Sequence, residues 1–214
     1  MHAGPKVRGA KTKDQYHHGD LRKALVEAAV AMADGEGIDA ITTRALARKL
    51  GVSHAAPGRH FPDRTALLAE VAAAAYERFA RVLKNAAHGE RGPAALSAMG
   101  RAYVRFGLDH PALLHLMFSR QLGDLDPWPS ALAESGRRAY RALQGGVRAA
   151  LGARASEEKV GLGSFISWSL VHGAVLLYLE GGVCHSQPVK GRKQAFLALA
   201  DAAVDAATRT VMDL

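Results

Sequence analysis

Residues 41–61 constrain this chain more tightly than any other stretch. Thr42 is a good N-cap, Thr43–Leu50 has the composition of a short helix, and Gly51 supplies the left-handed backbone that ends it. A second short helix is expected to open at Ser53, and Phe61-Pro62-Asp63 then starts a long one. Ala47, a turn ahead of the Gly51 pivot, is small enough to let the second helix cross closely over the first. That geometry is a helix-turn-helix, whose second helix enters the major groove of DNA while the first crosses the backbone. Thr43 and Arg44 are placed to donate to phosphate, helped by the helix N-terminus. Ser53, His54, Ala55 and Ala56 open the second helix, the end that meets base edges; short side chains there allow close approach, and an alanine methyl can contact thymine.

The rest of the pattern reads as helix, with no alternating strand-like run bounded by hairpin turns. Asp20 is the expected cap of a first helix carrying Leu21, Ala24, Leu25, Ala28, Ala29 and Met32 on one face, closed by Gly35-Glu36-Gly37. The long helix after Asp63 shows Leu67, Val71, Ala74, Phe79 and Val82. His88-Gly89-Glu90-Arg91-Gly92-Pro93 is the clearest boundary, and five helices are expected beyond it, at about 94–108, 111–120, 129–151, 156–180 and 190–211. A chain of 214 residues can bury a full core without metal or disulfide staples. Cys184 is the lone cysteine, which excludes an internal disulfide and suits a reducing cytoplasm. The most apolar stretch, at 171–179, is short for a bilayer span, and Lys6, Arg8, Lys11 and Lys13 interrupt any signal-like run. The net charge of +8 is uneven: +3 over residues 1–19, zero over 20–70 and +5 over the remainder. A basic arm and a diffuse basic background suit a polyanionic partner.

Residues from about 16 to 80 resemble the DNA-binding domain of the TetR (tetracycline-repressor) family of bacterial transcriptional regulators. The features that carry the resemblance are the capped first helix, Thr-Thr-Arg-x-Leu-Ala-x-Lys-Leu-Gly-Val at 42–52, and Arg59-His60-Phe61 leading through Pro62-Asp63-Arg64. The resemblance implies an all-α protein of about nine helices. It would comprise a flexible basic arm over 1–19, a helix-turn-helix domain over 20–80 whose fourth helix continues to about 87, and a helical effector-binding and dimerisation domain over 88–214. It implies a cytoplasmic homodimer on a near-palindromic operator, acting as a repressor released by a small-molecule effector, with no cofactor. The dimer would form through helices at about 156–180 and 190–211, where Val175, Leu176 and Leu179, and Phe196, Leu197, Ala200, Val204, Ala207 and Val211, recur at helical spacing. Arg48, Lys49 and Arg64 are either phosphate contacts or solvated charges, and His60 either touches DNA or packs.

Gly58 departs from the pattern: similar proteins carry an aromatic residue there, commonly tyrosine, which helps anchor the reading helix on phosphate. Pro57-Gly58 is locally a turn signal, and a glycine inside a helix costs about 1 kcal/mol relative to alanine. A short or frayed recognition helix and weakened DNA affinity are therefore expected.

In the C-terminal part, Trp168 and His172 stand one above the other on a helix. With Gly173, expected to admit a neighbouring helix, they resemble the Trp-x-x-x-His-Gly (WHG) signature of one C-terminal class in that family. They either line an effector cavity or form a packed aromatic on a core histidine. Tyr103, Phe106, His110, Leu114 and Phe118 are further pocket candidates that read equally as core, and His115 and Trp128 are within the same region.

Enzymatic motifs are missing. Gly161-Leu-Gly163 has Ile166 where a dinucleotide fingerprint needs glycine, and no phosphate loop, nucleophile elbow or His-Glu-x-x-His run is present. Cys184-His185 beside His172 and Glu180 is at most a weak metal or thiol-sensing idea. A helical protein-interaction adaptor and a small helical enzyme without a recognisable motif are the alternatives to a DNA-binding regulator.

Overall fold

The computed structural model describes residues 18–183 and 189–214, so the arm before His18 and the Cys184-His185 pair lie outside the described residues. The described chain is all-α: α1 His18–Glu36, α2 Thr43–Leu50, α3 Arg64–Ala87, α4 Gly92–Asp109, α5 Pro111–Met117, α6 Arg120–Gly123, α7 Ser130–Leu151, α8 Glu157–Leu179 and α9 Val189–Met212. Short 3-10 turns at Ile38–Ala40, Pro57–Arg59 and Gly152–Arg154 complete it.

Local chemistry explains most ends. The Thr42 hydroxyl accepts from the Ala45 N–H at 3.1 Å, and Gly51 closes α2 at φ 67°. The Asp63 carboxylate accepts from the Ala66 N–H at 2.7 Å and opens α3, a cap worth about 1 kcal/mol. Helix α1 begins at His18, so Asp20 is not its cap, and its exit is left-handed Gly37 at φ 87°. The helix expected over 111–120 is divided: α5 stops at Met117, and α6 restarts at Arg120.

Helix α3 is the axis. It packs most extensively on α7 and α4, and it also meets α1. One continuous core runs from Leu25, Leu46 and Phe61 through Leu67, Val71 and Phe79 to Tyr103, Val175 and Phe196. A smaller cluster joins Leu96, Val147, Leu151, Val160 and Val211. Phe196, Ala200, Val204, Ala207 and Val211 of α9 are all buried within the chain, as is Val175 of α8. The apolar stripe expected at the dimer interface is therefore the face that α9 turns to its own core. What remains outside is a different set: Leu162, Phe165 and Leu177 on α8 and Leu199 on α9 are all about half exposed or more.

By length and composition α8 could cross a membrane, with mean hydropathy 1.6, which the reading of 171–179 alone did not anticipate. In this fold it packs against α4, α7 and α9.

Close helix approach depends on glycines other than Gly173, around whose α-carbon there is open space. A Cβ on Gly107 would sit 2.7 Å from Val175 Cγ1 and 3.2 Å from Leu114 Cδ2. Gly107→Ala is therefore expected to destabilise the fold by about 1–3 kcal/mol through overpacking between α4 and α8. Chemical denaturation measures it; an unchanged midpoint would mean that Val175 moves aside freely.

Candidate nucleic-acid interface and internal cavity

The expected second helix of the helix-turn-helix is not an α-helix. In an α-helix opened by Ser53, residue 57 would donate to the Ser53 carbonyl; Pro57 has no N–H, and its ring crowds that oxygen. The Ser53 carbonyl instead accepts from Ala56 N–H at 3.0 Å, Ala56 from Arg59 at 3.2 Å, and Pro57 from His60 and Phe61 at 3.0 Å each. The result is a chain of single turns that closes in the Pro57–Arg59 3-10 turn, pinned from below by buried Pro57 and Phe61. Arg22 of α1 lies over the Phe61 ring at 5.0 Å and pairs with Glu70 of α3, which seats this segment on the three-helix unit.

Thr43, Arg44, Ser53, His54, Ala55, Gly58 and Arg59 are exposed, and Ala56 and His60 are half-buried. Arg44, Arg48, Lys49 and Arg59 have no ion-pair or hydrogen-bond partner among the described residues. Four uncommitted cations on one short segment, beside small side chains, make a surface that neutralises phosphate without first breaking internal pairs. Arg64 is different. Its guanidinium donates to the carbonyls of Ile38 at 3.0 Å and Ile41 at 3.4 Å and meets Asp39 at 3.4 Å, so it ties the start of α3 to the linker before α2.

Gly58 has no atom within 4 Å of the position its Cβ would take, so an aromatic side chain there would project into solvent. Gly58→Tyr is expected to tighten DNA binding severalfold at matched salt, the gain of about one hydrogen bond to phosphate per reading head. Filter or fluorescence-anisotropy titration reads it, and equal affinity would show that the aromatic anchor has no use here.

At the far end of α3 lies an apolar cavity of about 310 Å³. Of the expected pocket residues, Tyr103, Phe118 and Trp168 line it. His172 stands behind the wall: its Nδ1 is 2.7 Å from the Tyr103 hydroxyl, and its ring meets Phe118 at 4.5 Å. Burial, and to a lesser degree His115, lowers the pKa of His172, while burial raises that of the Tyr103 phenol; both groups stay neutral, and their hydrogen bond fixes the tyrosine ring. Phe106 and Leu114 are core, packed on Phe79 and Gly107. His110 is placed elsewhere: its Nδ1 lies 2.8 Å from the Asp34 carboxylate of α1, which Arg78 of α3 also holds at 3.0 Å.

Sequence reasoning missed the contribution of α3, whose Tyr76, Phe79 and Leu83 form one wall. Tyr76 donates to the Met117 carbonyl at 2.8 Å, and burial pushes its pKa up to about 12. The aromatics at an i, i+3 spacing were the available signal. Ser167 was missed too; its Oγ is buried at the cavity wall with no partner among the described residues.

A capped helix and turn whose cations have no partner among the described residues at one end of a long helix, and an apolar chamber towards the other, fit a DNA-binding transcriptional regulator. The comparisons agree. Residues 25–71 match the family model of bacterial regulatory proteins, tetR family, and residues 96–208 match the tetracyclin repressor-like C-terminal domain. The chain belongs to the tetR family.

A Bacillus subtilis (strain 168) relative, the uncharacterized HTH-type transcriptional regulator YobS, is 27% identical over 93 residues, which cover 44% of this chain and 49% of that protein. The match thus spans about half of each. A Rhodococcus sp. RHA1 protein of unknown function superposes with a TM-score of 0.71 at 29% identity, covering 94% of this chain and 98% of its own. RolR in complex with resorcinol superposes with a TM-score of 0.57 at 20% identity, covering 91% and 94% respectively, a likeness of fold alone.

Proposed function

We propose that this regulator is a repressor that binds a near-palindromic operator as a homodimer in the cytoplasm and leaves it when a small molecule fills the cavity. One observation carries the reading: α3 belongs to both sites. Its first turn is capped by Asp63 immediately after the reading segment, and its C-terminal half supplies Tyr76, Phe79 and Leu83 to the cavity wall. A ligand that displaces that wall tilts the lever on which the reading head is mounted. Thr43, Arg44 and Arg59 hold phosphate, and Ser53–Ala56 face the base edges. The arm at 1–19, the unit over 20–80 and the helices over 88–214 then act as clamp, reader and sensor. Taking the operator-bound fraction from 99:1 to 1:99 needs about 10⁴-fold differential affinity, roughly 5.5 kcal/mol. The RolR complex shows that a protein of this fold accommodates resorcinol.

Dimerisation is supported by the outward stripe of α8. Leu162, Phe165, Ser169, Gly173 and Leu177 follow one another at spacings of three and four residues, on the face opposite buried Val160, Gly163, Val171 and Val175. Gly173 at its middle leaves room for a partner helix.

The test is selection of bound duplexes from a random DNA pool at two salt concentrations. Enrichment of a near-palindrome whose affinity falls as salt rises is the expected result. Recovery without enrichment would reduce the reading head to a basic surface. It would turn attention to an adaptor or enzymatic role.

A further inference from the structure

The apolar chamber continues outward. A second, open hollow lies against α7, and Trp128, Gly136 and Tyr140 line both. The remaining walls of the outer hollow are Ala133, Arg137, Arg141 and Gln144. Polarity changes sharply across the shared rim. The inner chamber is lined by no charged side chain among the described residues. Most of its hydroxyls are already engaged: Tyr76 with the Met117 carbonyl, Tyr103 with His172, and Thr208 with Ser97.

The two arginines of the outer hollow are poorly neutralised. Their nearest acid is Glu134, at 3.7 Å from Arg137 and 3.8 Å from Arg141, but that carboxylate is already taken by Arg138 at 2.9 Å. Arg138 also engages Glu77. Three guanidiniums thus meet two carboxylates, and the surplus positive charge lies where the hollow opens.

We propose that the cavity takes an amphipathic carboxylate: an apolar aromatic or aliphatic body in the inner chamber, with the anionic end held in the outer hollow by Arg137 and Arg141. This deepens the effector reading above and rests on it only for the effect on DNA. The physical basis is a division of labour. Burial of the apolar body supplies affinity, while guanidinium–carboxylate pairing at the rim selects the sign of charge. A neutral ligand forgoes the pairing, and an ammonium is repelled.

Trp128 and Trp168 are the two tryptophans of the chain, and both line the chamber, so intrinsic fluorescence reads occupancy directly. The probes are two matched sets, one aliphatic and one aromatic: octanoate, 1-octanol and octylamine, then 4-butylbenzoate, 4-butylbenzyl alcohol and 4-butylbenzylamine. In at least one set the carboxylate is expected to bind about tenfold more tightly than the alcohol, as two part-exposed charge contacts allow, with the amine weakest. The preference should shrink as salt is added. In the Arg137→Gln, Arg141→Gln double variant the alcohol should bind as before and the preference should vanish.

The proposal is overturned if the alcohol binds as tightly as the carboxylate in both sets. Survival of the preference in the double variant, or no response to any of the six probes up to their solubility, overturns it equally. The same titrations with labelled operator separate the two readings. A carboxylate that binds with the expected preference and leaves DNA bound sinks effector release but not the ligand class. An alcohol that binds as well and releases DNA does the reverse.

Discussion

Reversing the charge of Arg44 and Arg59 together is expected to weaken operator binding by about a thousandfold near 0.1 M salt. It should also flatten the slope of log affinity against log salt by about 3.6, as a dimer loses four phosphate contacts. Both guanidiniums are exposed and without partners among the described residues, so Arg44→Glu with Arg59→Glu breaks no contact there and is expected to act on DNA binding alone. Arg64→Glu is the informative contrast. That guanidinium holds the Ile38 and Ile41 carbonyls, so its loss should lower thermal stability as well as affinity. Titration at four salt concentrations, with melting curves for each variant, distinguishes the two. A double variant that binds within tenfold of the parent would move the interface elsewhere.

Phe165→Glu is expected to yield a folded monomer. Phe165 is 66% exposed on the apolar α8 stripe, one turn from Leu162 at 47% and on the same face as Leu177 at 52%. A two-fold axis would bury each such side chain twice, so replacing one phenyl ring removes about 5 kcal/mol and raises the dimer dissociation constant by more than roughly a thousandfold. Leu199→Glu on α9 should act in the same direction. Light scattering reads the mass and circular dichroism the retained helix. Operator binding should fall in parallel, since a single reading head spans one half-site. A Phe165→Glu protein that stays dimeric at micromolar concentration would place the interface off this stripe.

The helices were legible because their ends are written in local chemistry. Thr42, Gly51 and Pro111 act through backbone groups only a few residues away, and the helix ends they mark lie where expected. The first helix of the helix-turn-helix and its Gly51 turn were legible for the same reason. Where reading failed, the deciding partner was distant in sequence. Spacing shows that α9 carries an apolar stripe but not what covers it, and Gly100, against which Val204 packs, is a hundred residues away. His110 resembled a pocket residue until Asp34 of α1 was found beside it. Gly173 looked like the site of close approach, whereas Gly107 and Gly163 fill that role inside the chain. Of the candidate cavity, the C-terminal aromatics were foreseen and the wall from α3 was not, because the three-helix motif had claimed that helix for the reader. Pro57 is the exception to the rule of distance. Its consequence is purely local and in view: Pro57-Gly58 predicts a short or frayed helix, and the structure goes further, with single turns from Ser53 onward.

That proline bears on how readily the switch can be thrown. Single turns hold few backbone bonds, so fitting the reading segment to a groove costs roughly 1 kcal/mol for each residue that must be fixed anew. The loss is subtracted from every contact the head makes, and being entropic it grows on warming. A repressor gripping its operator loosely at rest requires less discrimination from the molecule that dislodges it. On the proposed repressor reading, the cost that Pro57 places on DNA binding is therefore expected to lower the effector dose at which the operator is released.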